Sequence, residues 1–203
     1  MTDAPLSALH LRVTLDHVAP AVWREIAVPE SFTFWALHCA IQDAMGWRDC
    51  HLHEFVVRWD GVPGVMRIGI PDEEEISNPP TRPGWSLPIA PHLPRAGSTL
   101  RYLYDFGDDW SHVVELRERR PAEADERLPR CVAGARACPP EDCGGPHSYA
   151  DFLEAIRDPR HREYASLLKW VGGAFDPEAF DAARVRFRNP EKYWRKLFGK
   201  KAR

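Results

Sequence analysis

A chain of 203 residues, 44% of them hydrophobic, holds enough apolar side chains for a full core, and its length permits one domain or at most two small ones. No apolar run approaches the roughly 20 residues of a membrane-spanning helix. The start Met1-Thr2-Asp3-Ala4-Pro5 has neither the positive charge nor the apolar stretch of a secretory signal. The expectation is a cytoplasmic protein with no membrane partner, whose five cysteines, an odd number, are reduced thiols.

The formal net charge of -3 conceals an asymmetry. Nine of the 27 basic residues and one of the 30 acids fall at positions 184–203, leaving 18 basic and 29 acidic residues before them. The body repels a polyanion and the tail attracts one.

Leu9 to Leu15 alternates apolar and polar side chains, and Val22 to Val28 resumes the alternation after Pro20, which predicts two strands joined by a turn. From Phe34 the period changes. Phe34, Leu37, Ile41, Ala44 and Met45 mark an amphipathic helix lying on the sheet, capped by Thr33 and ended by Gly46. Cys39 inside it and Cys50 beyond it read as small buried hydrophobes. Leu52 to Trp59 is a strand ending at the turn pair Asp60-Gly61, with Val65 to Ile70 as its partner.

Asp72 to Gly84, acidic and then proline-rich, has the composition of a surface loop. Thr99 to Phe106 and His112 to Glu118 form a hairpin around Gly107-Asp108-Asp109. Residues 119–130 read as a loop or frayed helix. Three helices follow: one behind a capping box at Ser148-Tyr149-Ala150-Asp151, one from about Arg162 to Val171, and one opened by Asp176-Pro177. Strands early and helices late predict an α+β fold: a largely antiparallel sheet with one N-terminal helix packed on it and a C-terminal group of helices. Residues 1–187 form the expected single domain and 188–203 a basic tail.

The densest chemistry lies between Tyr102 and Pro146. Cys131, Cys138 and Cys143 stand at C-x6-C-x4-C spacing on what reads as an irregular loop, three thiolates for a tetrahedral zinc whose fourth ligand is His112 or His147. Simple burial of the thiols competes with that reading. Asp105, Asp108, Asp109 and His112 offer a second set, hard oxygen ligands or an acid-base pair, set against ordinary turn chemistry. His51 and His53 alternate in register as a possible pair without an evident third ligand. In the tail, Arg188, Lys192, Arg195, Lys196, Lys200 and Lys201 interleave with Tyr193, Trp194 and Phe198, a pattern for nucleic-acid contact or for a docked amphipathic helix. No phosphate loop, G-x-S-x-G elbow or H-E-x-x-H occurs, which disfavours common nucleotide hydrolases, esterases and metalloproteases.

Tyr104-Asp105-Phe106-Gly107-Asp108-Asp109-Trp110 with His112, and Ala137 through Pro146, resemble hallmarks of the plasmid pRiA-type Orf-three-like family, also labelled IS-element passenger or TnpR-like proteins. Val22-Trp23-Arg24, Met45-Gly46-Trp47, His51-Leu52-His53-Glu54-Phe55 and Phe175 through Phe180 match its pattern as well. The resemblance spans about residues 9 to 187. It implies an α+β domain found on plasmids, mobile elements and bacterial chromosomes, and carries no biochemical activity with it. Three functions compete: a binding protein with a zinc-stabilised cysteine loop and a nucleic-acid-contacting tail; a metal-dependent hydrolase using Asp105, Asp109 and His112; and a protein partner presenting a Trp-rich surface.

Overall fold

Strict alternation builds the centre of the molecule. The computed structural model describes residues 7–59, 61, 63–72 and 78–199. In it Leu9, Leu11, Val13 and Leu15 turn inward along β1 (Ser7–Leu15), while His10, Arg12 and Thr14 stay half-exposed. Each of those leucines contributes about 1.5–3 kcal/mol on burial. β2 (Trp23–Pro29), β3 (His53–Val57), β4 (Met66–Gly69), β5 (Arg82–Pro83), β6 (Thr99–Tyr104), β7 (Trp110–Pro121) and β8 (Arg130–Ala135) complete one sheet with β1. The order is β5-β4-β3-β6-β7-β1-β2-β8, antiparallel at every pairing except β4 with β5. The α+β architecture is the expected one. Among the described residues, no helix is long and apolar enough to cross a membrane.

Helix α1 (Phe34–Met45) begins and ends as its sequence dictates. Thr33 accepts a hydrogen bond from the Ala36 N–H, and Gly46 closes the helix at φ 93°. It is not amphipathic in the expected sense, because every residue except Asp43 is buried. Its second face is covered by α4 (Pro190–Phe198), whose Trp194 packs edge-on against Trp35. The polar residues His38 and Gln42 both meet the Tyr102 hydroxyl, and His38 also meets Asp49.

Four local expectations are corrected. Residues 130–135 are a strand, so Cys131 lies in β8 paired to β2, not on an irregular loop with the other cysteines. Residues 119–121 extend β7, where they pair with the start of β1. Helix α2 (Gly145–Arg157) starts before Ser148, from a left-handed Gly144. Asp176 turns the chain by accepting from the Glu178 N–H instead of opening a helix, and only a 3-10 turn follows at Ala182–Arg184. Phe180 is the physical reason: its ring lies under the Arg24 guanidinium, 3.8 Å away, and fills the space a side chain at Gly134 would need. Helix α3 (Tyr164–Trp170) matches the segment expected there. The acidic run Glu73-Glu74-Glu75 lies outside the described residues.

Candidate metal centre where three loops meet

Three stretches far apart in sequence meet at one end of the β6–β7 hairpin: the segment after α1, the hairpin turn and the 138–146 loop. Trp47, just past the Gly46 cap, donates its indole N–H to the Pro139 carbonyl at 3.0 Å and packs beside Tyr104 and Trp110. The Tyr104 hydroxyl accepts from the Cys50 N–H at 3.1 Å and donates to Glu141 at 3.1 Å. Glu141 also accepts from the Arg48 N–H at 2.7 Å. Asp108 accepts from the Gly144 N–H at 2.9 Å, which locks the turn to the start of α2.

The turn itself follows from its composition. Asp105 and Asp109 both sit at φ 57°, and Asp142 across the gap at φ 60°, the left-handed region that short acidic side chains tolerate. One oxygen of Asp105 accepts from the N–H groups of Gly107 and Asp108, the expected turn role. Its other oxygen lies 3.4 Å from His51 Nε2, and that nitrogen lies 2.8 Å from Asp142 Oδ1. The donor atoms of His51, Asp105 and Asp142 all fall within 4.8 Å of one another, as do those of Cys50, His51 and Glu141. Asp105 is nearly buried, whereas the side chains of His51 and Asp142 keep 30% and 59% of their exposure, so the group opens to solvent on one side.

Cys131, Cys138, Cys143 and His112 form no such group among the described residues. Cys131 points its sulfur at the Ala133 carbonyl. Burial raises the Cys138 thiol and pushes that of Cys143 up to about 12, with Asp108 adding to the second. His112 is fully buried, its Nδ1 against the Tyr102 carbonyl at 3.2 Å, and burial lowers it to about 4. The imidazole that approaches Asp105 is therefore His51, and His147 is an exposed residue of α2. His51 and His53 part company: the first faces the two aspartates, the second is buried in the core. Cys39 is buried as expected, but Cys50 is exposed.

Of the tail residues, Arg188 is held by Asp43 and Asp49, at 2.6 Å and 3.4 Å. Lys192, Arg195 and Lys196 are exposed on α4, and Lys200 and Lys201 lie outside the described residues. Glu141 and Asp142 were invisible as ligands in the sequence. The available signal was a short acidic pair, Glu141-Asp142, held between Pro-Pro and the glycines that follow Cys143.

A sheet flanked by helices, with these motifs gathered at one hairpin end, defines a family architecture. The chain belongs to the plasmid pRiA4b ORF-3-like protein family, matched over residues 7–184. It is 39% identical over 181 residues to "Uncharacterized protein y4hQ" of Sinorhizobium fredii (strain NBRC 101917 / NGR234), covering 89% of this chain and 87% of that one. The crystal structure of MM3350 from Methanosarcina mazei Go1, described as a protein of unknown function, superposes with a TM-score of 0.80 at 35% identity, over 91% of this chain and all of that one. Every residue of the candidate centre lies inside the matched span, and α4 lies beyond it.

Proposed function

We propose that the chain is a divalent-cation-binding protein whose ion is held by His51, Asp105 and Asp142. One observation carries the reading: His51 Nε2 stands between two carboxylates supplied by different loops, at 2.8 Å and 3.4 Å. A cation replacing the ring proton would draw on all three donors at once. A nitrogen with carboxylate oxygens suits zinc and its first-row neighbours better than calcium or magnesium, which favour oxygen throughout. Bound there, the ion ties the hairpin turn and the 138–146 loop to the segment after α1, a binding and interaction role.

A metal-dependent hydrolase is the second reading, favoured by the solvent-open side of the group. Three protein ligands leave a position for water, which a metal acidifies into a nucleophile. Of the hydrolase residues expected from sequence, this version keeps Asp105 and replaces His112 with His51.

Metal content per chain of untagged, chelator-free protein tests the first reading. Near-stoichiometric zinc is expected in the wild type and in Cys138→Ser/Cys143→Ser, and its loss in His51→Ala/Asp142→Ala. Zinc lost from the cysteine variant instead moves the ion to the cysteine loop, and a metal-free wild type that is well folded sinks both versions. Zinc-stimulated turnover of a model phosphodiester, abolished by His51→Ala, separates the hydrolase from the binding protein.

A further inference from the structure

A cleft of about 890 Å³ opens between the start of α1 and α4, and its lining shares no residue with the metal group. Trp35 of α1, Trp85 of the segment after β5 and Trp194 of α4 contribute to its wall, with Phe32 beside them. These rings are fixed: the Trp35 indole donates to the Pro190 carbonyl at 3.0 Å, and Trp85 lies 4.7 Å from Trp194, ring to ring. The volume falls in the range of about 300–1,000 Å³ typical of small-molecule sites, room for a nucleobase with its sugar.

Charge says what such a base would be attached to. Arg195 lines the cleft, paired to Glu191 at 3.6 Å by an ion pair whose two side chains are largely exposed, so the contact is weak and readily exchanged. Lys192 and Lys196 follow at roughly 60° and 100° around α4 from Arg195, at 3.6 residues per turn. Both are exposed. Gly199 is also part of the lining. The remainder of the chain is acidic, with 29 acids against 18 bases before position 184. The basic excess that attracts a polyanion is therefore concentrated in this last stretch of the sequence.

We propose that this cleft takes an unpaired base of single-stranded nucleic acid, stacked on the half-buried Trp85 that buried Trp35 and Trp194 hold in place, while Lys192, Arg195 and Lys196 neutralise the adjoining phosphates. Aromatic stacking of this kind is sequence-tolerant, because every base has a π-face, and basic side chains beside it follow the backbone. The site is independent of the metal group. Arg188, a candidate phosphate contact by sequence, is excluded from it by its ion pairs to Asp43 and Asp49.

The test is titration of the full-length protein with a fluorescein-labelled mixed-sequence 12-mer and with its duplex, read by anisotropy and by quenching of intrinsic tryptophan emission. The single strand should bind more tightly than the duplex and quench the emission. With about three phosphates neutralised, log K should fall with log salt at a slope of about -2. Trp85→Ala, at a half-buried position, should weaken binding at least fivefold. Lys192→Ala/Lys196→Ala, both on the surface, should flatten the slope by more than half, and the two variants should keep the wild-type circular dichroism. Duplex bound as tightly as single strand, no binding at all, or affinity unchanged in both variants overturns the proposal.

Discussion

The imidazole of His38 lies face to face on that of His53, ring centroids 3.4 Å apart and planes within 9°. Both are buried, one on α1 and the other at the start of β3. His38 is fixed at both nitrogens: Nδ1 meets the Tyr102 hydroxyl at 2.8 Å and Nε2 meets Asp49 Oδ1 at 2.9 Å. Gln42 donates to the same hydroxyl at 2.9 Å. An Nε2–H ring satisfies every one of these contacts, donating to Asp49 and accepting from Tyr102. His38→Ala takes one partner each from the Asp49 carboxylate and the Tyr102 hydroxyl and leaves a cavity against His53, so a loss of roughly 3–5 kcal/mol is expected. Tyr102→Phe removes only the hydroxyl and should cost about 1–2 kcal/mol. Urea unfolding at neutral pH ranks the two, and an inverted ranking removes the Asp49–His38–Tyr102 chain from the core's accounting.

Gly145 sits at φ 81°, and a side chain there would run into the Asp108 carbonyl oxygen. Gly46 is also left-handed but faces open space. Gly46→Ala should therefore cost about 1 kcal/mol, the conformational term alone. Gly145→Ala must in addition push the hairpin turn off the 138–146 loop and break the Asp108 contact to Gly144. It should lose more stability than Gly46→Ala in thermal unfolding and lower zinc affinity at least tenfold. Equal effects of the two substitutions would mean that the turn and the loop are not rigidly joined.

Elements with one dominant local signal were legible from sequence. Period-two strands such as Leu9 to Leu15 and the capped helix between Thr33 and Gly46 need no distant partner to be recognised. What escaped depends on contacts across the fold. The strand holding Cys131 is short and carries Gly134, whose missing side chain makes sense only beside Phe180. Buried His38 and Gln42 look like solvent-facing residues until Tyr102, 64 and 60 positions away, is placed beside them. The candidate metal group is assembled from His51, Asp105 and Asp142, separated by 54 and 37 residues, so no spacing motif announces it. Cysteine spacing, by contrast, was conspicuous and does not correspond to a converged group among the described residues.

His112 ties stability to pH. Burial lowers it from the usual 6.5 to about 4, against smaller opposing contributions from the Tyr102 and Trp110 backbone. Below about pH 6.5 the unfolded chain binds a proton that the folded chain refuses, so this contribution is complete above that pH and lost as the pH falls toward 4. Between pH 7 and pH 5 the expected loss is about 2 kcal/mol. His112 Nε2 has no hydrogen-bond partner among the described residues, so a phenyl ring of similar breadth is tolerated there. His112→Phe should retain most of its stability at pH 7 and show a smaller drop in urea midpoint between pH 7 and pH 5. A drop equal to the wild type's assigns the acid sensitivity to other groups.

Arg188 fastens the last helix to the first. Its N–H donates to Asp43 Oδ2 at 2.7 Å, its Nε to Asp43 Oδ1 at 2.6 Å, and its guanidinium lies 4.6 Å from the Tyr193 ring centre. Asp43 is the one residue of α1 that is not fully buried, and Asp49 on the far side of Arg188 also holds His38. Both carboxylates are more than 90% buried, so Arg188→Ala leaves two charges without their cation and should cost roughly 3 kcal/mol. Lys192→Ala, on the exposed face of the same helix, should stay within about 0.5 kcal/mol of wild type. Because Asp49 serves both partners, His38→Ala and Arg188→Ala should combine to less than the sum of their separate costs. Strict additivity in that cycle would mean that Asp49 transmits nothing between the core histidine and the docked helix, leaving Asp43 as the carboxylate through which Arg188 holds α4 in place.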